Sequence, residues 1–233
     1  MDEITPQANG AFLRDHLRQR LLAEGPAAML DVGCGRGELL HACRAAGVPA
    51  LGLELSAERA AAVRAEGGAV ILGRGERLPC ADRSVPWVVM RHAAHHLSDP
   101  ERGVRELARV AAHGVVVAEP WRPIDLPEQA TALAIDQWCK RHDRRRGHDH
   151  HADVPAARLA SWLRSAGAFD VEVTEVLRGA CLPPEQVEAG LHAAISDLPD
   201  DAPERRDLGP LLERAASTGV GATGSAIVVA RRR

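Results

Sequence analysis

The chain has 233 residues, 45% of them hydrophobic and 26% charged, which suits one soluble globular domain with a buried core. Lys plus Arg number 29 against 32 Asp plus Glu, a formal net charge of −3, and this argues against a general nucleic-acid binder. No apolar run approaches the ~18 residues of a membrane span, the polar start is not a secretory signal, and five scattered cysteines without a CxxC read as reduced thiols, so a cytoplasmic protein is expected.

In chain order, residues 11–23 are charged and amphipathic, a helix. Residues 27–32 form a short apolar strand that runs into glycines, and residues 38–46 a helix. A second strand (48–55), a helix (57–66), a third strand (69–72) and a fourth (87–90) follow, with Pro86 confined to a strand start or an edge. Residues 99–111 are a helix, with Ser98 and Glu101 read as a capping box and Pro100 in the first turn. A fifth strand spans 115–118. Continuous apolar strands alternating with helices imply an α/β fold, doubly wound, with a mostly parallel sheet covered on both faces.

The second half differs. Residues 119–154 are polar, dense in His and Arg, and contain a helix at 128–141. Helices are expected at 156–166, 184–195 and 208–217, a half-exposed strand at 170–176, an acidic connector at 198–207 and a last strand at 225–230. The terminal Arg231, Arg232 and Arg233 read as a solvated end. The whole is taken as one domain: residues 1–120 as a cofactor-binding half, 121–155 as a lid, and 156–233 as C-terminal helices and strands.

Chemistry concentrates at Met29-Leu30-Asp31-Val32-Gly33-Cys34-Gly35-Arg36-Gly37-Glu38. A strand, a glycine turn and a helix start let a ligand lie against backbone amides. The dinucleotide spacing GxGxxG is not met, and Glu38 stands where that motif wants Gly or Ala, which counts against the rival reading as a nicotinamide-dependent oxidoreductase. Glu54 ends the second strand, where an acid can accept hydrogen bonds from both ribose hydroxyls.

This combination resembles motif one of the class I methyltransferases that use S-adenosylmethionine (SAM). Gly73-Arg74-Gly75-Glu76-Arg77-Leu78-Pro79 and Arg91-His92-Ala93-Ala94-His95-His96-Leu97 are similar to the loops after strands three and four in its small-molecule branch, the group like the ubiquinone-biosynthesis enzymes. The resemblance implies a seven-stranded fold with an antiparallel last strand. It implies that Gly33, Gly35 and Gly37 line SAM and that Asp31 helps hold its amino-acid end. Glu54 would take the ribose and Leu55 the adenine face, with Gly75 and Glu76 at the adenine edge and Arg91 beside the methionyl group. Three positions depart from the pattern: Arg74 replaces an expected Asp, and Val85 and Pro86 replace an aromatic and an Asp. These keep open a non-catalytic SAM-binding or scaffolding protein.

For methyl transfer to an O, N or C nucleophile of a small molecule, the general base is expected to be His96 first and His92 second, because no Asp or Glu precedes Ser98 in that segment and the chain has no Tyr. His95, Glu119, Trp121, Trp138 and His142 are the candidate acceptor contacts. His92, His95 and His96 would share a face if their segment is helical. The basic run 140–151 is read as a lid, as a solvated loop, or as a metal site built on His142, His148, His150 and His151, with or without Glu119. No metal is expected to be required, since the cluster lacks a recognised ligand spacing.

Overall fold

The computed structural model describes residues 2–233. Its elements in chain order are α1 (Pro6–Leu22), β1 (Met29–Val32), α2 (Glu38–Ala45), β2 (Ala50–Glu54), α3 (Ala57–Ala65), β3 (Val70–Leu72), β4 (Val85–Arg91) and α4 (Pro100–Val110). There follow β5 (Ala111–Trp121), α5 (Pro127–Arg145), α6 (Ala156–Ser165), β6 (Phe169–Val176), α7 (Pro184–Ala194), α8 (Pro203–Thr218) and β7 (Gly224–Arg232).

The strands form one seven-stranded sheet in the order β3-β2-β1-β4-β5-β7-β6, parallel except for the antiparallel β7. The order reverses at β1, whose neighbours are β2 and β4, and ligands of open α/β sheets lie outside the carboxyl ends of the strands at such a switch. Alternate strand residues point to opposite faces. Leu30, Val32, Val88, Met90, Val115, Val117 and Val228 join Val104, Leu107 and Ala108 of α4 and Leu159 and Leu163 of α6 in one core. Their neighbours Met29, Val89, Val116 and Val229 are equally buried, so both faces of the sheet are covered.

The chain divides into two compact units. The sheet unit comprises residues 14–119, 153–175 and 226–233. The second unit comprises residues 1–13, 120–152 and 176–225 and is mainly helical. Its core sets Trp138 of α5 against Leu191 and Ile195 of the α7 region and Leu208 of α8. Gln129 donates from Nε2 to the Ala222 carbonyl at 3.1 Å and ties α5 to the segment that leads into β7.

Several sequence expectations need correction. Strand β4 begins at Val85, ahead of Pro86: the register to β5 shifts between Val85 and Trp87, and that irregularity accommodates a residue with no N–H. The N-cap of α4 is Asp99, whose carboxylate accepts from the Arg102 N–H at 3.0 Å. Ser98 is drawn instead to Glu76, which accepts from its N–H at 3.0 Å and its hydroxyl at 2.9 Å. Helix α8 starts at Pro203, inside the supposed connector, because proline suits the first helical turn. The arginine tail is not a solvated end. Arg231 pairs with Glu24 at 2.7 Å and Glu172 at 3.0 Å, and Arg232 lies over the Phe169 ring at 4.4 Å.

Candidate active site

The turn after β1 is built from glycines in left-handed backbone: Gly33, Gly35 and Gly37 have φ of 72°, 57° and 75°. At Gly33 a Cβ would also lie 2.8 Å from the Ala93 side chain, so packing excludes one. At Gly35 nothing lies within 4 Å of where a Cβ would stand, which leaves open space against bare backbone. A flat ligand can approach the chain there.

Glu54 locks the turn. It is 5% exposed, and its carboxylate accepts from the N–H of Gly35 at 2.8 Å, Leu55 at 3.0 Å and Ser56 at 2.9 Å. The carboxyl ends of β2 and β3 then present Leu55 and Leu72, which are 61% and 50% exposed. Large apolar side chains left in water beside a glycine turn make a surface for a planar apolar group.

Asp31 is the electrostatic anomaly. It is 2% exposed, and no hydrogen-bond donor reaches its carboxylate among the described residues. Burial pushes its pKa up to about 7, with the Glu54 charge adding to the rise and Arg91 opposing it. Nearby, Arg14 of α1 and Arg91 at the end of β4 hold the same oxygen of Glu38, at 3.2 and 3.3 Å. A buried carboxylate without a donor and two guanidiniums sharing one half-exposed acid suit a ligand carrying both an ammonium and a carboxylate. Sequence reading missed Arg14, since nothing separates it from the other arginines of an amphipathic helix.

The segment after β4 does not place its histidines on one face. His92 turns the chain out of the strand with φ 48°, its N–H donating to the Ala118 carbonyl at 2.7 Å. A single 3-10 turn then covers Ala94–His96, and it buries His95 at 5% exposure while leaving His96 exposed. His95 Nδ1 lies 2.7 Å from one oxygen of Glu119, which is fully buried. The other Glu119 oxygen accepts from the Ala94 N–H at 3.1 Å. Asp153 lies 3.8 Å from the same His95 nitrogen. A carboxylate only accepts, so Nδ1 carries the hydrogen of this bond. His95, Glu119 and Asp153 also place their ligand atoms within 4.8 Å of one another, a set able to hold a metal ion.

The remaining candidates are dispersed. Gly75 is buried against Leu97, and Glu76 is engaged by Ser98. Trp121 lies against Gly224 in the helical unit. Trp138 is fully buried there, its Nε1–H donating to the Glu204 carbonyl at 3.2 Å. Three histidines of the basic run lie by separate acids: His142 3.8 Å from Asp197, His150 2.6 Å from Asp143 and His151 4.0 Å from Asp149.

Residues 30–118 match the family model described as a methyltransferase domain. That segment holds β1 to β5 and the glycine turn, so its likeness to methyltransferase domains covers the carboxyl ends of the strands described above. Among curated proteins, the chain is similar to ajmaline N-methyltransferase of Rauvolfia serpentina, 34% identical over 101 residues, which cover 40% of this chain and 35% of that one. It is also similar to norajmaline N-methyltransferase of the same plant, 32% identical over 124 residues, 48% of this chain and 42% of that one. The matched region thus spans well under half the length of these relatives. Among solved structures, YcgJ of Bacillus subtilis superposes with a TM-score of 0.65 at 17% identity, over 94% of this chain and 99% of that one. The cyclase SpnF superposes with a TM-score of 0.66 at 22% identity, over 97% and 82%. These likenesses show the fold.

Proposed function

We propose that this chain is a SAM-dependent methyltransferase of the small-molecule branch, and that His95, held by Glu119, takes the proton from an O, N or C nucleophile of the acceptor. The observation that carries the reading is the buried His95–Glu119 pair, set at the carboxyl ends of neighbouring strands beside the glycine turn. The names of the curated relatives favour a nitrogen acceptor.

The donor-side residues fit SAM. Glu54 has the place and charge for the ribose hydroxyls, Leu55 and Leu72 offer apolar surface for the adenine, and Gly33, Gly35 and Gly37 admit the ligand against the backbone. Gly75 and Glu76 border the adenine end. Asp31 answers the ammonium, and Arg91 with Arg14 answers the carboxylate. When bound, SAM supplies an electrophilic methyl on a sulfonium. The chain's part is positional: Glu119 fixes the His95 ring and its tautomer, so that Nε2 faces the acceptor with its lone pair. His92, held by its strained backbone, shapes the turn that carries His95. Trp121, Trp138 and His142 belong to the helical unit, where Trp138 is part of the core.

Turnover of labelled SAM with a panel of amines and hydroxyl compounds tests the reading. Tight binding of S-adenosylhomocysteine with no transfer to any acceptor would favour the non-catalytic alternative. The His95, Glu119 and Asp153 set supports a second reading, metal-assisted transfer. Elemental analysis of untagged protein decides between them, since a stoichiometric metal whose chelation abolishes turnover would replace the proton-transfer role of His95.

Glu54→Ala is expected to weaken binding of S-adenosylhomocysteine by about 1.5–3 kcal/mol, the scale of hydrogen bonds to a charged group. Glu54→Gln keeps one acceptor oxygen for the turn and should lose less. Calorimetry on folded variants checks this, and unchanged affinity in Glu54→Ala would remove the residue from the site.

A further inference from the structure

The carboxyl ends of the strands carry the site above. The amino ends carry a second concavity, of about 260 Å³, lined by four arginines (Arg83, Arg105, Arg109 and Arg232) and one acid, Asp82. All belong to the sheet unit. Arg83 lies on the loop before β4, Arg105 and Arg109 one turn apart on α4, and Arg232 at the end of β7.

The charges there do not balance. Arg109 donates to Asp82 at 2.7 Å and to Glu106 at 2.7 and 2.8 Å, and Arg105 donates to Glu101 at 2.7 Å. Among the described residues Arg232 has no carboxylate partner. Its guanidinium donates to the carbonyls of Ala108 at 2.5 Å and Ala111 at 3.1 Å, and it rests on the Phe169 ring. Among the described residues the Arg83 side chain has no hydrogen-bond or ion-pair partner, although Arg83 occupies left-handed backbone at φ 51°. That conformation is fixed by its N–H, which donates to the Arg109 carbonyl at 2.9 Å. The strained residue thus holds an uncompensated cation at the mouth of the concavity, and strain of this kind collects at ligand-binding positions. Burial, and repulsion from Arg83, both lower the Arg232 pKa, so an anion placed between them would relieve a standing cost.

We propose that this concavity is an anion site for a phosphate or pyrophosphate group, contacted by Arg83, Arg105 and Arg232, and separate from the methyl-transfer site. Planar guanidiniums from three elements match the several acceptor oxygens of a phosphate, which a single chloride does not offer. The volume suits inorganic pyrophosphate or the phosphate end of a small metabolite better than a whole nucleotide. Asp82, largely exposed, is the internal competitor, since it occupies Arg109 where the anion would otherwise draw on it.

The experiment is calorimetric titration of the full chain with inorganic pyrophosphate and, separately, with glycerol 3-phosphate, in buffer held at constant ionic strength with chloride. Saturable one-to-one binding is expected, weakened about tenfold or more by Arg83→Ala. Asp82→Asn should tighten it severalfold by removing the competing carboxylate. Both positions are exposed loop residues, so affinity for S-adenosylhomocysteine should stay unchanged and serves as the check on folding. Binding of pyrophosphate alone would identify a free polyanion as the ligand; binding of both would identify the phosphate end of a larger molecule. No saturable heat with either probe, or equal affinity in wild type and Arg83→Ala, overturns the proposal and leaves the methyltransferase reading untouched.

Discussion

His95→Ala should lower the rate of methyl transfer by about 10²–10⁴-fold with little change in affinity for S-adenosylhomocysteine, the range expected for removal of a positioned general base. Single-turnover rates with the best acceptor provide the measurement. Glu119→Gln should also slow transfer. The amide can accept from Nδ1–H only after choosing its orientation, and it no longer stabilises an imidazolium. It should therefore shift the pH profile as well as the plateau, a change that a purely structural role would not produce. His96→Ala should stay within a few-fold of wild type, because His96 is exposed while the hydrogen bond to Glu119 belongs to His95. An acceptor that reacts as a neutral amine would blunt the His95→Ala loss, so a hydroxyl or an ammonium substrate is the stringent one. Near-normal rates in His95→Ala with such a substrate would remove the imidazole from the chemistry and leave positioning alone to carry the step.

The contrast between His95 and His96 shows where sequence stops being informative. The glycine turn was legible because its cause is local: three glycines within five residues after an apolar strand dictate left-handed backbone. Glu54 was legible for the same reason, since a strand end fixes its place. Which of two adjacent histidines is buried is a different matter. It depends on one 3-10 turn and on a carboxylate 24 residues away on the next strand. A spacing of three and four residues suggested a shared helical face, but the turn ends after His96 and the face never forms. Arg14 and Asp153 were invisible because their relevance is wholly tertiary. Arg231 escapes a sequence reading for the same reason: Glu24 and Glu172, its partners, lie far off in sequence. Within the second unit, helices were legible in place but short in extent. The acidic stretch 198–207 reads as a connector, yet α8 begins inside it at Pro203.

Asp31→Asn should stabilise the ligand-free protein and at the same time weaken it as a binder. The carboxyl is buried without a donor, and burial, aided by Glu54, raises its pKa from 3.8 to about 7. A folded-state value above the unfolded one means that the folded chain holds the proton longer, so stability falls as pH climbs from about 4 to about 7 and the penalty is complete above that. At full ionisation such a displacement corresponds to up to about 4 kcal/mol. The amide has the same shape and no charge to desolvate. Thermal unfolding should therefore show the variant clearly more stable than wild type at pH 8, with the gap closing toward pH 4. The ligand reverses the balance. An ammonium beside Asp31 favours the carboxylate, so wild-type affinity for S-adenosylhomocysteine should rise with pH between about 5 and 7 and then level off. In Asp31→Asn that rise should be absent and the affinity at pH 8 lower by about tenfold or more, the scale of a charge-assisted hydrogen bond. Equal stability of the two proteins at pH 8 would show that Asp31 carries no desolvated charge. A retained pH-dependent rise in the variant would assign it to another group, and the amino-acid end of the ligand would then have to be held from Arg14 and Arg91 alone.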